Sequence, residues 1–516
     1  MEKTVFPARL SGFARGVFVA IGALATLPDP AHAQYVPPSP AAPVPGAFDD
    51  YVRSANPSLQ RWDFGLNERV RSERKSEAGT THAGSSFDFA PAPPTPNTND
   101  YWLSRLMVRG GYSTDWLIAV VETRSSYSFG DNRFATTAPG KGLTENDGPL
   151  QLELGYLQIG DLEKFPVAVK VGRQELAFGE QRLLGSALWL NTPHTFDAVK
   201  VRYQDSFFGV DLFAASLVYT RSGHFNRSNS QDGLSGAYFD FPVLMKDNVV
   251  EACLLARNVA RGIVADDWSQ VPAPFRFTAP QDLYTFGFRT KSKPGTLGPW
   301  GYGLELMWQS GDRTAVFPGT TVAAAQVAPR LDQRAWAFVM QGGYTWTAVA
   351  GKPRLALIVS GASGDRNPTD TSSGTFQNLL PSNHGLYGAM DLSSLQNIVD
   401  WRLSATMKPS PKASLALDVH QQFLETANDY WYNVAGVPRN TAGAAPGSGR
   451  GFGLNPGYNP NLGQEVDLVG GWTVVRGLLL EAGAGHFFPG PYVRESFRAV
   501  GSRAANYFYV QATLNL

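Results

Sequence analysis

From Ala505 to Leu516 the chain alternates: Phe508, Val510, Ala512, Leu514 and Leu516 fall on one face of an extended segment, and Gln511, Thr513 and Asn515 on the other. Side chains along a strand point to opposite sides with a period of two, so this repeat makes a ribbon with one apolar and one polar side. The closing strand of an outer-membrane β-barrel needs such a ribbon, because one side meets lipid and the other a wet lumen. A soluble edge strand carries the same pattern, so the rest of the chain has to decide between them.

Residues 1–33 have the three parts of a secretory signal peptide: Lys3, Arg9 and Arg15, then an apolar run from Gly16 to Leu27, then small residues at Ala31-His32-Ala33. The apolar run is too short for a spanning helix, which needs about 20 residues. Cleavage near Ala33 is expected, with export through the Sec route to the bacterial outer membrane. After Gln34 no apolar stretch is long enough to cross a bilayer as a helix. Lys and Arg (44) balance Asp and Glu (44), which removes the basic field that a nucleic-acid partner would need. The single cysteine, Cys253, excludes an internal disulfide framework although export leads to an oxidising compartment. An exported chain with 53 Gly and 12% aromatics but no spanning helix fits a barrel better than a secreted sandwich or β-helix.

Residues 34–57 form a Pro-rich leader or linker (Pro37, Pro38, Pro40, Pro43, Pro45), expected to be extended, and residues 58–516 form one domain. In that domain eighteen segments alternate in hydrophobicity: 62–70, 102–112, 116–127, 150–160, 165–174, 196–203, 209–219, 236–241, 249–258, 283–290, 300–309, 334–346, 354–362, 397–407, 414–424, 464–475, 478–488 and 506–516. Bacterial barrels have even strand numbers; the weakest segment is 236–241, and losing it with a neighbour leaves 16. The links between segments alternate long and short. Tight turns such as Ser113-Thr114-Asp115 and Arg476-Gly477 contrast with connections such as 363–396 and 425–463. That asymmetry suits short periplasmic turns and long extracellular loops, and the fold class is an all-β, transmembrane antiparallel barrel. Trp102, Tyr112, Trp116, Trp300, Trp336, Trp346, Trp401 and Trp472 sit at or near segment ends, as interfacial girdles do. A closed barrel is expected to hold no aromatic core.

Assigning the apolar set to lipid leaves the lumen by subtraction. The basic candidates are Arg105, Arg109, Arg124, Lys170, Arg173, Arg182, Lys200, Arg202, Arg289, Lys291 and Arg402. The acidic ones are Glu153, Glu305, Asp400, Asp418, Glu465 and Asp467, with Glu122, Glu251 and Glu481. A ring of Arg and Lys draws anions, whereas a lattice of lumenal ion pairs stiffens the wall and selects nothing. For any single residue the lattice is the simpler reading; the basic cluster of the second, fifth and sixth segments suggests a pathway.

Signatures of metal and nucleotide chemistry are missing: no HExxH, no Walker lysine loop, no CxxC pair, and histidines without ligand spacing. No catalytic residue, metal or cofactor is expected. Asp418 and His420 share a face with Ser414 on the same segment, which leaves an outer-membrane hydrolase as an alternative although no sharp nucleophile turn is present.

Three blocks carry a family likeness: Gly172-Arg173-Gln174-Glu175-Leu176-Ala177-Phe178-Gly179-Glu180-Gln181-Arg182 with Trp189, Asn191 and 195–199; 376–385 with 387–391; and 464–468 with 485–488. In these the chain resembles the alginate-export family of outer-membrane proteins. The resemblance implies an 18-stranded barrel that carries a polyuronate, alginate, through an arginine-lined pore. It also implies that Arg173, Gln174 and Arg182 match the family's motif. Strict alternation aims Arg173 at lipid, and a bulge near Gly172 would turn it inward. One departure is the terminal Leu516, where an aromatic is more usual. The expected function is passive conduction of anionic solutes, with a general or other substrate-specific porin as the alternative. The expected partners are outer-membrane lipid, an anionic solute or polysaccharide, the barrel-assembly machinery, and a periplasmic partner for the leader.

Overall fold

The computed structural model describes residues 47–77, 89, 98–130, 150–219, 225–260, 280–315, 327–441 and 444–516. Residues 1–33, expected to be a signal peptide, and residues 34–46 of the expected leader lie outside them. The first nine strands are β1 (Trp62–Ser76), β2 (Thr98–Ser113), β3 (Leu117–Phe129), β4 (Gln151–Ile159), β5 (Val167–Gln174), β6 (Phe196–Gln204), β7 (Gly209–Tyr219), β8 (Arg227–Asp240) and β9 (Asn248–Val259). The next five are β10 (Gln281–Ser292), β11 (Trp300–Thr314), β12 (Arg330–Thr345), β13 (Arg354–Ala362) and the two-residue β14 (Ser372–Ser373). The last five are β15 (Ile398–Ser410), β16 (Ala413–Phe423), β17 (Asn461–Val475), β18 (Leu478–Pro489) and β19 (Ala505–Asn515).

Apart from β14, which pairs parallel with β12, each strand is antiparallel to its neighbours, and β1 pairs with both β2 and β19. The result is a closed barrel of 18 strands, and closure leaves no edge to lipid. The register at the seam runs from Asn67 opposite Asn515 to Lys75 opposite Tyr507. The weak segment 236–241 is the inner end of β8, whose polar outer half, Ser228 to Asp232, continues pairing with β7 and β9. Its dyad signal is faint because no apolar side chain marks the outer half. The 16-stranded alternative is therefore set aside.

Seven of the tryptophans expected in the girdles, Trp102, Trp116, Trp300, Trp336, Trp346, Trp401 and Trp472, are 38–55% exposed on the outer surface, as lipid contact requires. On β19, Phe508 and Val510 point outward while Tyr507 and Tyr509 are buried inside.

Two expectations need correction. The leader is not extended throughout: Ala47–Ala55 forms a helix, α1, followed by a 3₁₀ turn at Pro57–Leu59. The segment is free of proline, with Asp49 and Asp50 in its first turn and Arg53 in its last, which complements the helix dipole. The barrel also does contain an apolar core, and it lies in the lumen. Phe213, Ala215 and Leu217 of β7, Leu234 of β8, Leu255 of β9, Met307 of β11, and Ala335 and Ala337 of β12 are buried on the inner face. They pack against Leu176, Leu183 and Leu184 from the β5–β6 connection (175–195) and Phe376, Leu380 and Tyr387 from the β13–β15 connection (363–397). A second cluster at the outer end joins Phe89, Trp431, Phe452 and Phe487 to Tyr492 and Val493 of a short helix, α2 (Pro491–Ser496).

Phe376 is fully buried in the lumenal core. Phe376→Ala should cost about 3–5 kcal/mol of local packing. The variant should keep the heat-modifiable gel mobility of a closed barrel while residues 363–397 become sensitive to protease.

Candidate functional site in the lumen

A non-helical backbone at membrane depth is tolerated only inside protein, where its amides and carbonyls find partners. The β5–β6 connection crosses the lumen under that constraint. Its carbonyls are taken up by arginines of the wall: Arg69 Nη1 donates to Leu188 O (2.8 Å) and Arg71 Nη1 to Trp189 O (2.8 Å). Arg105 Nη1 donates to Leu188 O (2.9 Å) and Leu190 O (3.0 Å). Asn191 Nδ2 donates back to Ser104 O (2.9 Å) and Tyr127 O (3.1 Å), and Ser126 Oγ donates to Asn191 O (2.6 Å). Toward the opposite wall, Glu180 pairs with Arg289 (2.5 Å) and Lys291 (2.8 Å), and Arg182 with Glu305 (3.1 Å).

The β13–β15 connection docks in the reverse sense, with wall carboxylates accepting from its amides. Ala389 N donates to Asp467 Oδ2 (2.9 Å) and Met390 N to Glu465 Oε1 (2.8 Å). Arg402 Nη1 and Gln422 Nε2 bind the carbonyls of Gly385 (3.0 Å) and Tyr387 (2.8 Å). The two connections then meet. Leu380 N donates to Leu183 O (3.0 Å), Gly185 N to Leu380 O (2.9 Å) and Ser382 N to Gln181 O (2.9 Å). Trp189 stacks on His384 at 3.6 Å with ring planes 2° apart, and the Arg71 guanidinium lies 3.7 Å from the Trp189 ring centroid. His384 Nδ1 faces Asp391 at 2.9 Å.

Most of the basic candidates are thereby engaged with the protein itself. Arg105 serves loop carbonyls; Arg124 pairs with Glu153, both almost fully buried. Arg289 pairs with Glu251 as well as Glu180. Arg402 pairs with Asp418 (2.7 Å). Arg173 is not in the lumen: it faces Asp197 (2.7 Å) on the parity of Val171 and Val199, which are exposed to the outside. The β5–β6 register shows no shift at Gly172, so no bulge turns Arg173 inward, and Asn226 covers it from the rim (2.7 Å). The inner half of β2 to β6 is different. There Arg109 pairs with Asp63 (2.7 Å), Lys200 with Asp211 (3.4 Å), and Arg202 with Asp211 (3.2 Å) and Asp240 (2.6 Å). The half-buried Lys170 has no carboxylate within ion-pair distance among the described residues; its Nζ sits 3.7 Å from the centre of the Tyr156 ring.

His420 Nδ1 turns to Asp400 (3.0 and 3.1 Å), not to Asp418, and its Nε2 has no hydrogen-bond partner among the described residues. Ser414 is six residues along the same strand, about 20 Å away at the rise of a β-strand. The Ser–His–Asp arrangement is therefore not assembled. Among the described residues no cluster of His, Cys, Asp and Glu is placed to hold a metal.

The sequence reading missed Arg69 and Arg71, whose strand it ended at Val70. The signal was present: Arg69, Arg71, Glu73 and Lys75 place a charge at every second position of β1, the lumen parity.

Glu180 carries the docking of the β5–β6 connection on the β10 side. Burial opposes its charge, but Arg289, Lys291 and Arg182 outweigh it and hold the carboxyl at about 2, below the usual 4.5. A depressed carboxyl stabilises the folded form fully above its unfolded value and loses that contribution as pH falls through the folded one. Hydrogen exchange across residues 178–185, taken relative to the intrinsic amide rate at each pH, should therefore stay slow from neutral pH to near 4.5 and rise as pH approaches 2. Glu180→Gln should raise it at neutral pH, with a cost of about 3 kcal/mol for breaking a buried pair.

The family described as alginate export matches residues 60–509. Among solved structures, a BenF-like porin from Pseudomonas fluorescens Pf-5 aligns at 11% identity over 89% of this chain and 100% of its own, with a TM-score of 0.51. The outer membrane protein opdK from Pseudomonas aeruginosa aligns at 11% identity over 88% and 98%, with a TM-score of 0.50. OccK2 (OpdF) of Pseudomonas aeruginosa gives 11%, 89%, 98% and 0.50. At such identity these likenesses concern the fold. No curated protein matches the chain. The family match covers most of the barrel, and the chain belongs to the alginate export family as an outer-membrane β-barrel channel.

Proposed function

We propose that this barrel passes anionic solutes by passive diffusion, with a polyuronate such as alginate as the solute class, along the inner face of β2 to β6. The observation that carries this is Lys170, a lumen-facing cation with no carboxylate at ion-pair distance among the described residues, set over Tyr156. Arg109, Lys200 and Arg202 belong to the same arc and share Asp63, Asp211 and Asp240. A passing carboxylate exchanges its water for these cations at several weak sites, so it enters without being trapped. Arg105, Arg124, Arg289 and Arg402 hold the wall and its inserted connections.

A second reading, a porin whose lumen charges are structural, is favoured by the pairing of nearly every other candidate cation with a carboxylate. Reversal potentials in planar bilayers under a KCl gradient, with and without polyuronate, separate the two. Anion selectivity with block by polyuronate is expected. Lys170→Glu should shift the reversal potential toward cations and weaken the block about tenfold, or about 1.4 kcal/mol. Unselective current that polyuronate leaves untouched would favour the structural porin.

A further inference from the structure

The nine-residue helix α1 presents its faces the wrong way round for a helix packed on a protein. Phe48, Tyr51, Val52 and Ala55 follow the i, i+3, i+4, i+7 spacing of an apolar stripe, which ordinarily turns to a core. Here the polar face turns to the barrel. Asp49 is fully buried and accepts from Phe64 N (3.2 Å); Arg53 donates from Nε and Nη2 to Trp62 O (3.0 and 2.7 Å). Asp49 and Arg53 pair at 2.9 Å, and Asp50 pairs with Arg476 of the β17–β18 turn at 2.5 Å. Phe48 and Tyr51 are left 53% and 69% exposed.

The location explains the polar contacts. Strand β19 ends beside Asn67, and Leu516 exchanges two backbone hydrogen bonds with Leu66. Toward the short-turn rim, β1 runs on to Trp62 with only β2 beside it. Alternation aims the main-chain groups of residues 62 and 64, like those of Leu66, at the side β19 no longer covers. Arg53 and Asp49 continue the ladder there, so α1 fills a notch in the wall at the closure seam. Next to it Trp62, 41% exposed, stacks on Phe64 at 6.0 Å and meets Tyr112 edge-on at 5.1 Å, forming part of the lipid-facing aromatic band.

We propose that α1 is an interfacial anchor whose Phe48 and Tyr51 insert at the headgroup–acyl boundary of the inner leaflet, extending that band across the seam. The occupant is lipid because the helix continues a lipid-facing surface and presents its apolar residues away from the contacts it makes with the barrel among the described residues.

The test uses the full chain in lipid nanodiscs with a nitroxide at Tyr51→Cys or, on the polar face, Asp50→Cys; native Cys253 is buried and in no disulfide. At position 51 the label should relax more with oxygen, which partitions into lipid, than with a water-soluble nickel chelate. At position 50 the order should reverse. A further variant, Asp49→Ala with Arg53→Ala, should abolish the preference at position 51 while heat-modifiable mobility shows the barrel still closed. A label at position 51 that relaxes more with nickel in the closed barrel would overturn the proposal and place the face toward the periplasm or lumen.

Discussion

An unpaired backbone amide or carbonyl at membrane depth costs several kcal/mol, and that constraint organises the whole molecule. It requires the sheet to close, which β1 does by pairing with both β2 and β19. It equally governs the irregular chain inside. Leu188, Trp189 and Leu190 run through the lumen without a strand partner, and Arg69, Arg71 and Arg105 bind their carbonyls. The amides of Ala389 and Met390 meet Asp467 and Glu465.

Lumen charge therefore has two separate uses. Near the inserted connections it satisfies backbone groups and neutralises itself in pairs such as Arg124–Glu153 and Arg182–Glu305, with little field left over. On the inner half of β2 to β6 no inserted backbone among the described residues binds it; Arg109, Lys200 and Arg202 share Asp63, Asp211 and Asp240, and the proposed path for an anion lies there. Geometry and not residue type assigns each arginine to one use, as Arg173 shows by pairing with Asp197 on the outer face.

Strands were legible because lipid on one side and lumen on the other impose a period of two, and all 18 barrel strands coincide with segments of that period. Even β8, faint in sequence, was found through its inner half. The lumenal core was harder to see. A dyad pattern locates the wall but carries no information about where a long connection goes, so Leu183, Leu184 and Phe376 look like ordinary loop residues. A trace of it was available in β7 and β12, where the inward positions Phe213, Ala215, Leu217, Ala335 and Ala337 are apolar although a wet lumen favours polar ones. The helix α1 was hidden by the prolines before it, and Glu180 by its place in a loop whose partners, Arg289 and Lys291, lie more than a hundred residues away.

Trp189 touches three distant parts of the chain: Arg71 on β1, His384 on the other connection and Tyr509 on β19 at 5.0 Å. Strands β1 and β19 become neighbours only when the first and last strands join. Trp189 thus cannot reach its full set of contacts in a nascent, open sheet. The order of assembly follows: the interior is finished last, after the wall, and a chain stalled before its final strand would present its lumenal loops unlocked.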